Sequence, residues 1–216
     1  MTGPNVLRIL EGSKTHTRRI MKPQPFDGFY PGKNGVAYMY YPLKVNKKTG
    51  EAYPGKAVFG VADADQDFKC PYGRPGDELW VRENFKYSPV GRHVVYQADK
   101  PTTHAQEVDH AFGPWKPSIF MPRSASRITL KLKAVRIERL QDISEEDAIA
   151  EGCKAEMIHA PGCKRTCFDP GLPDCYMQNA KMAFRELWES INGHGSWDLN
   201  PWVWVLAFER KNRSTP

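Results

Sequence analysis

The sequence predicts a mainly β, α+β fold with about three flanking helices, and three observations carry that reading. One is a long strand pattern from Ile128 to Leu140, with Ile128, Leu130 and Leu132 on one face and Thr129, Lys131 and Lys133 on the other. Another is Trp202 to Arg210, which sets Trp202, Trp204, Leu206 and Phe208 against Val203, Val205 and Ala207; a strand apolar on both faces belongs in the middle of a sheet. Between Met21 and Asp65, finally, prolines, glycines and tyrosines recur without a helical period, as in short strands joined by turns. At 216 residues the chain suits one domain spanning 1–216 with sizeable insertions.

The elements follow in order. Thr2-Gly3-Pro4 opens a short helix whose apolar stripe is Val6, Ile9 and Leu10 and whose end is Gly12. Lys14 to Ile20 favours an extended path, because Thr15 and Thr17 are β-branched. Strands are expected at Gly35 to Tyr41 and Ala57 to Val61, with a hairpin tip at Lys47-Lys48-Thr49-Gly50. Tyr38, Tyr40, Tyr41 and Tyr53 lie among lysines there, the interleaving that base stacking plus phosphate contact requires; a half-buried tyrosine-rich hairpin is the structural alternative. Pro75-Gly76-Asp77 turns the chain into a strand from Glu78 to Glu83, where Trp80 and Arg82 share a face polar enough to line a pocket. Tyr96 to Gly113 reads as a loop. In the long strand the apolar parity changes after Ala134, which calls for a bulge near Lys133 or Ala134.

Ile143-Ser144-Glu145-Glu146-Asp147 has the marks of a helix start, with Ser144 as N-cap and Ile143 as staple, and Gly152 is its stop. The acids of that first turn suit the helix dipole and need no catalytic role; Glu151, at the opposite end, is unfavourable for the dipole and calls for an explanation. Cys153 to Tyr176 reads as an inserted loop. Asn179 to Ile191 is an amphipathic helix presenting Ala180, Phe184, Leu187, Trp188 and Ile191 on one face.

Composition narrows the partners. Hydrophobic residues make up 40% and aromatics 12%, and the mean hydropathy is -0.60. No apolar run reaches the ~18 to 20 residues that span a bilayer, and the N-terminus lacks the pattern of a signal peptide, so a cytoplasmic protein without a membrane partner is expected. The five cysteines are expected to be reduced. The net charge is +6, and its placement is informative: residues 1 to 60 hold ten Lys and Arg against three acids, the remainder 21 against 22. Positive charge concentrated in the first quarter favours a nucleic acid or nucleotide partner.

Within Leu10 to Arg19, Gly12, Lys14, Thr17 and Arg19 make the pattern G-x-K-x-x-T-x-R, which resembles that of the ASCH domain family, a branch of the PUA-like superfamily. Pro75-Gly76-Asp77, the strand from Arg127, the Ser144 helix and the closing strand at Val203 to Phe208 come in the order the family expects. Cys70-Pro71-Tyr72-Gly73 and Met121-Pro122-Arg123 are similar to its phage and prophage members. The resemblance implies a PUA-like β-barrel with helices around it, and insertions near 22–69 and 153–176. It also implies recognition of RNA or a modified nucleoside, RNA before DNA. A small bacterial branch removes the acetyl group from N4-acetylcytidine; its working lysine, threonine and glutamate map onto Lys14, Thr17 and Glu151.

That chemistry suits the residues. Thr17 would attack the acyl carbon or position a water. Lys14 would accept a proton if burial and Arg18 or Arg19 lower its pKa, and Glu151 would hold the exocyclic nitrogen or pass it the proton. Arg18 and Arg19 then act as electrostatic support, and Trp80, Arg82, Trp115 or Tyr96 as the wall against which a base packs. In a plain strand positions 14 and 17 face opposite ways, so the chain must turn after Gly12. Two rival readings use the same pocket: a base-binding module without turnover, and a ribonuclease with Lys14, Arg18 and Arg19 on the phosphate, in which His16 is the only histidine within the motif. No cofactor is required, but Cys163, Cys167 and Cys175, with Cys153, His159 or Cys70 as a fourth ligand, are candidates for a structural zinc site that orders the insertion.

Overall fold

The protein is represented by a computed structural model that describes residues 3–87, 93–99, 114–153, 156–159 and 175–211; at 156–159 and 175–178 only the backbone is described. Among the described residues it is mainly β, with three α-helices and antiparallel strand pairs. The described helices include none long and apolar enough to cross a membrane. Two compact units divide the chain: one draws on residues 1–15, 71–134 and 206–216, the other on 16–70 and 135–205.

In the first unit, helix α1 (Gly3–Glu11) buries Val6 and Ile9 against Val81, Ile128, Leu130 and Phe208. Gly12, at φ 81°, ends it, and the amide of Lys14 returns to the carbonyl of Arg8 at 3.1 Å. Strand β7 (Glu78–Trp80) pairs with the start of β10 (Thr129–Arg139), Thr129 facing Trp80. The strand ends at Trp80 rather than Glu83, and the chain turns into β8 (Phe85–Tyr87), which pairs with β9 (Val94–Tyr96) over Met121 and Ala125. Of the loop expected from Tyr96, residues 100–113 lie outside the described part.

The second unit begins with β1 (His16–Ile20). The closing strand β13 (Trp202–Arg210) lies between β1 and β10, as its two apolar faces predict. Phe208 donates to the Thr15 carbonyl at 2.8 Å and Met21 to that of Trp202 at 3.0 Å, while Lys211 donates to that of Thr129 at 2.9 Å and Leu140 to that of Pro201 at 3.0 Å. Along each pair one residue number rises as the other falls, so both neighbours run antiparallel to β13. On β10 the outward residues Lys133 and Ala134 are consecutive, the parity change expected of an extra residue. The insertion forms β2 (Tyr38–Tyr40), β5 (Val58–Ala62) and β6 (Asp67–Lys69) in one sheet, and β3 (Leu43–Val45) with β4 (Ala52–Pro54) in a separate ribbon. Two glycines make close approaches possible. A Cβ on Gly35 would stand 2.1 Å from the Ile137 carbonyl oxygen, and one on Gly60 would stand 2.0 Å from that of Phe68.

Helix α2 (Glu145–Ala150) is capped by Ser144, whose hydroxyl accepts the Asp147 amide at 3.1 Å, and ended by Gly152 at φ 89°. Helix α3 (Ala180–Asn192) has Asn179 as its cap and buries Phe184 and Trp188 with Leu140, Ile143, Trp197, Val203 and Val205. The Glu145 carboxylate accepts the amides of Ala180 and Lys181, so an acid of α2 closes the N-terminus of α3. A backbone hairpin, β11 (Glu156–His159) with β12 (Cys175–Gln178), borders the cysteine insertion.

Candidate functional site

Alternation along β1 puts His16, Arg18 and Ile20 on one face, toward α2 and α3, and Thr17 and Arg19 on the other. The Arg18 side chain has no solvent exposure. Its Nε donates to Glu138 Oε1 at 2.7 Å, Nη2 to Asp147 Oδ2 at 2.6 Å and Nη1 to Glu151 Oε1 at 3.3 Å. Arg136 donates to Glu138 and to Asp147, and the Phe184 ring lies 5.7 Å from the Arg18 guanidinium carbon. Three carboxylates from β10, α2 and the end of α2 therefore converge on one guanidinium.

This arrangement answers the question posed by Glu151. Its side chain is 4% exposed at a helix C-terminus, where the dipole disfavours a carboxylate, and Arg18 supplies the opposite charge. Burial alone would lower the Arg18 pKa; Glu138 and Glu151, followed by Asp147, hold it above its ordinary value. Burial acts on Asp147 in the raising direction, but Arg18 and Arg136 outweigh it and keep the carboxyl below its ordinary range. His16 is pushed down chiefly by burial, with Asp147 partly opposing the shift.

Glu151, expected to act with Lys14 and Thr17, instead has its ion pair with Arg18, a residue expected only as electrostatic support. Thr17 is half-buried on the opposite face of β1 and Arg19 is exposed. Lys14 belongs to the first unit, 4% exposed, in the turn that Gly12 begins; it precedes β1, so the alternation argument for positions 14 and 17 does not apply to it. Glu138, Arg136 and Asp147 were not expected. The only signal for the first two is that they share a face of β10 after the parity change, and Asp147 is masked by its own suitability as a first-turn acid.

The other expected ligand-binding residues lie in the first unit. Arg82 stacks on Trp80 at 4.5 Å and donates to the Ile119 carbonyl, and Arg123 approaches the same ring at 6.0 Å. The Lys86 ammonium, 3% exposed as a residue, lies 4.4 Å from the Trp115 ring centre. Arg127 grips Glu83 with two bonds of 2.8 and 2.9 Å, reaches Asp99, and covers the ring of Tyr96 at 4.0 Å. Tyr96 thus packs beneath a guanidinium, and its hydroxyl donates to the Ala125 carbonyl.

Of the expected zinc ligands, Cys163 and Cys167 lie outside the described residues, and Cys175 and His159 are described by backbone alone. Cys70 and Cys153 are buried. Among the described residues no group of three or more His, Cys, Asp or Glu is arranged to hold a metal. The second unit also holds a cleft of about 250 Å³ between Met21, Lys22, Phe68, Lys69 and Trp204, beyond the C-terminal end of β1. No protein-family model, curated protein or solved structure matches the chain.

Proposed function

We propose that this protein is a PUA-like, ASCH-type protein that hydrolyses the amide of an N4-acylated cytosine such as N4-acetylcytidine, free or in RNA. The observation that carries the reading is the burial of Glu151 on Arg18 at the C-terminal end of α2, where the helix dipole disfavours a carboxylate and helix stability gives no reason for one. Lys14, also buried, is the second member. In this reading water adds to the acyl carbon as Lys14 takes its proton. The carbon–nitrogen bond then breaks as the proton that Lys14 took from water is passed by way of Glu151 to the exocyclic nitrogen, leaving cytosine and a carboxylate. Thr17 lies on the face of β1 opposite the Arg18–Glu151 pair and is given no proton to carry; Thr17→Ala tests whether the reaction needs it. Trp80 and Trp115 offer aromatic surface, with Arg82, Arg18 and Arg19 as supporting charge. Zinc at Cys163, Cys167 and Cys175 would serve the insertion and no step of the reaction.

The test is incubation with N4-acetylcytidine and related acylated cytosines, following release of the free base by chromatography, for the wild type and for Lys14→Ala, Thr17→Ala and Glu151→Gln. Loss of one proton carrier is expected to slow turnover by roughly a hundredfold or more. A second reading, a base-binding module, is favoured by the exposed Arg82 stacked on Trp80. Absence of turnover by the wild type together with salt-sensitive RNA binding would select it.

A further inference from the structure

Every residue from Leu43 to Pro54 is exposed, and together they form a ribbon in which β3 and β4 pair only with each other among the described strands. Such a hairpin has little stability of its own, yet this one is carefully closed. Asn46 donates to the Glu51 carbonyl at 2.9 Å, Gly50 to the Asn46 carbonyl at 2.8 Å, the Lys48 amide to Asn46 Oδ1 at 2.9 Å, and Gly55 to the Pro42 carbonyl at 2.8 Å. Register puts Lys44 directly across from Tyr53 on one face, with Cβ atoms roughly 5 Å apart. Tyr41, at the base, is 65% exposed and Tyr53 is 48% exposed, so neither ring is taken up by the core. Residues 41 to 56 hold Lys44, Lys47, Lys48 and Lys56 against Glu51 alone.

We propose that the β3–β4 ribbon is an arm that binds single-stranded nucleic acid, with Tyr41 and Tyr53 stacking on bases and Lys44, Lys47 and Lys48 on phosphates. Exposed flat rings beside ammonium groups suit a strand whose bases have free π-faces. A duplex offers no such faces, so the tyrosines would have no task on one. The excess of two positive charges in one short ribbon, three with Lys56 just beyond it, favours a polyanion over a protein partner on the Leu43 and Val45 side. The arm uses residues outside the Lys14, Thr17 and Glu151 group and goes beyond the deacylase reading.

Fluorescence anisotropy of the full chain with a labelled 20-nucleotide mixed-sequence oligonucleotide tests it, using RNA and DNA, single strand and duplex, at several salt concentrations. The wild type is expected to prefer single strands. Tyr41→Ala/Tyr53→Ala should weaken binding by roughly tenfold or more. Lys47→Gln/Lys48→Gln should lower the slope of log K against log salt by about 1.4. Leu43→Ser/Val45→Ser, on the other face, should stay within about twofold. All six positions are exposed, and circular dichroism checks the fold of each variant. Wild-type affinity in both the tyrosine and lysine variants, preference for duplex, or weakening confined to the Leu43/Val45 pair would each overturn the proposal. Turnover of the free nucleoside, read in parallel, should be unchanged in all three, so failure of the deacylase reading is seen separately.

Discussion

Arg18 bonds three carboxylates with one side chain, and Arg136 reaches two of the same three. Arg18→Leu therefore strands several partly or wholly buried charges, and a loss of about 3 kcal/mol or more is expected in urea denaturation. Arg18→Lys should restore only part of it, because an ammonium is a point charge and cannot serve three acceptors in a plane. The same cluster sets the response to acid. Folded Asp147 holds its proton less readily than the unfolded chain does, so its contribution is complete above the ordinary 3.8 and disappears as pH falls through the lower folded value. His16, depressed by burial from 6.5, stays neutral where the unfolded chain becomes charged, so its contribution also declines as pH falls below 6.5. Stability is thus expected to fall in two ranges as pH is lowered, first below 6.5 from His16 and again below 3.8 from Asp147, and His16→Gln to remove the first, as followed by thermal melts at a series of pH values.

At the scale of elements, local signals were legible and distant ones were not. Ser144 and Gly152 bracket α2 as expected, because caps and stops are written within a few residues of the ends they serve. The first-turn acids looked sufficient for their own dipole, yet Glu145 spends its carboxylate on α3 and Asp147 on two arginines. Arg136 is 11 positions from Asp147 but on another element, and the remaining partners are 35 to 129 positions away, beyond any periodicity. Ser144→Ala is expected to cost about 1 kcal/mol through α2. Glu145→Ala should cost about 1 to 3 kcal/mol, because it opens the first turn of α3. Hydrogen exchange tells the two apart: the second variant should expose the amides of Ala180 and Lys181, which the first leaves protected.

For the whole molecule, the mainly β class and the central place of β13 were readable from apolar patterning, because burial on two faces leaves a mark in composition. Charge asymmetry was equally plain, but its meaning was not. The basic quarter of the chain contains both Arg18, which the fold consumes internally, and the lysines of the ribbon, which it leaves in water. Net charge cannot separate the two, and only burial does. The closure of the ribbon has a practical sequel. Gly55 already bonds to Pro42, so the chain is pinned together just below Leu43 and Pro54 and the dozen residues above form a detachable part. Replacing 43–54 by Asn-Gly, which suits a tight hairpin turn, is expected to move the melting temperature by no more than a few degrees. The same junction would then accept a ribbon of another length or sequence, making this edge of the molecule a socket for exchangeable tips.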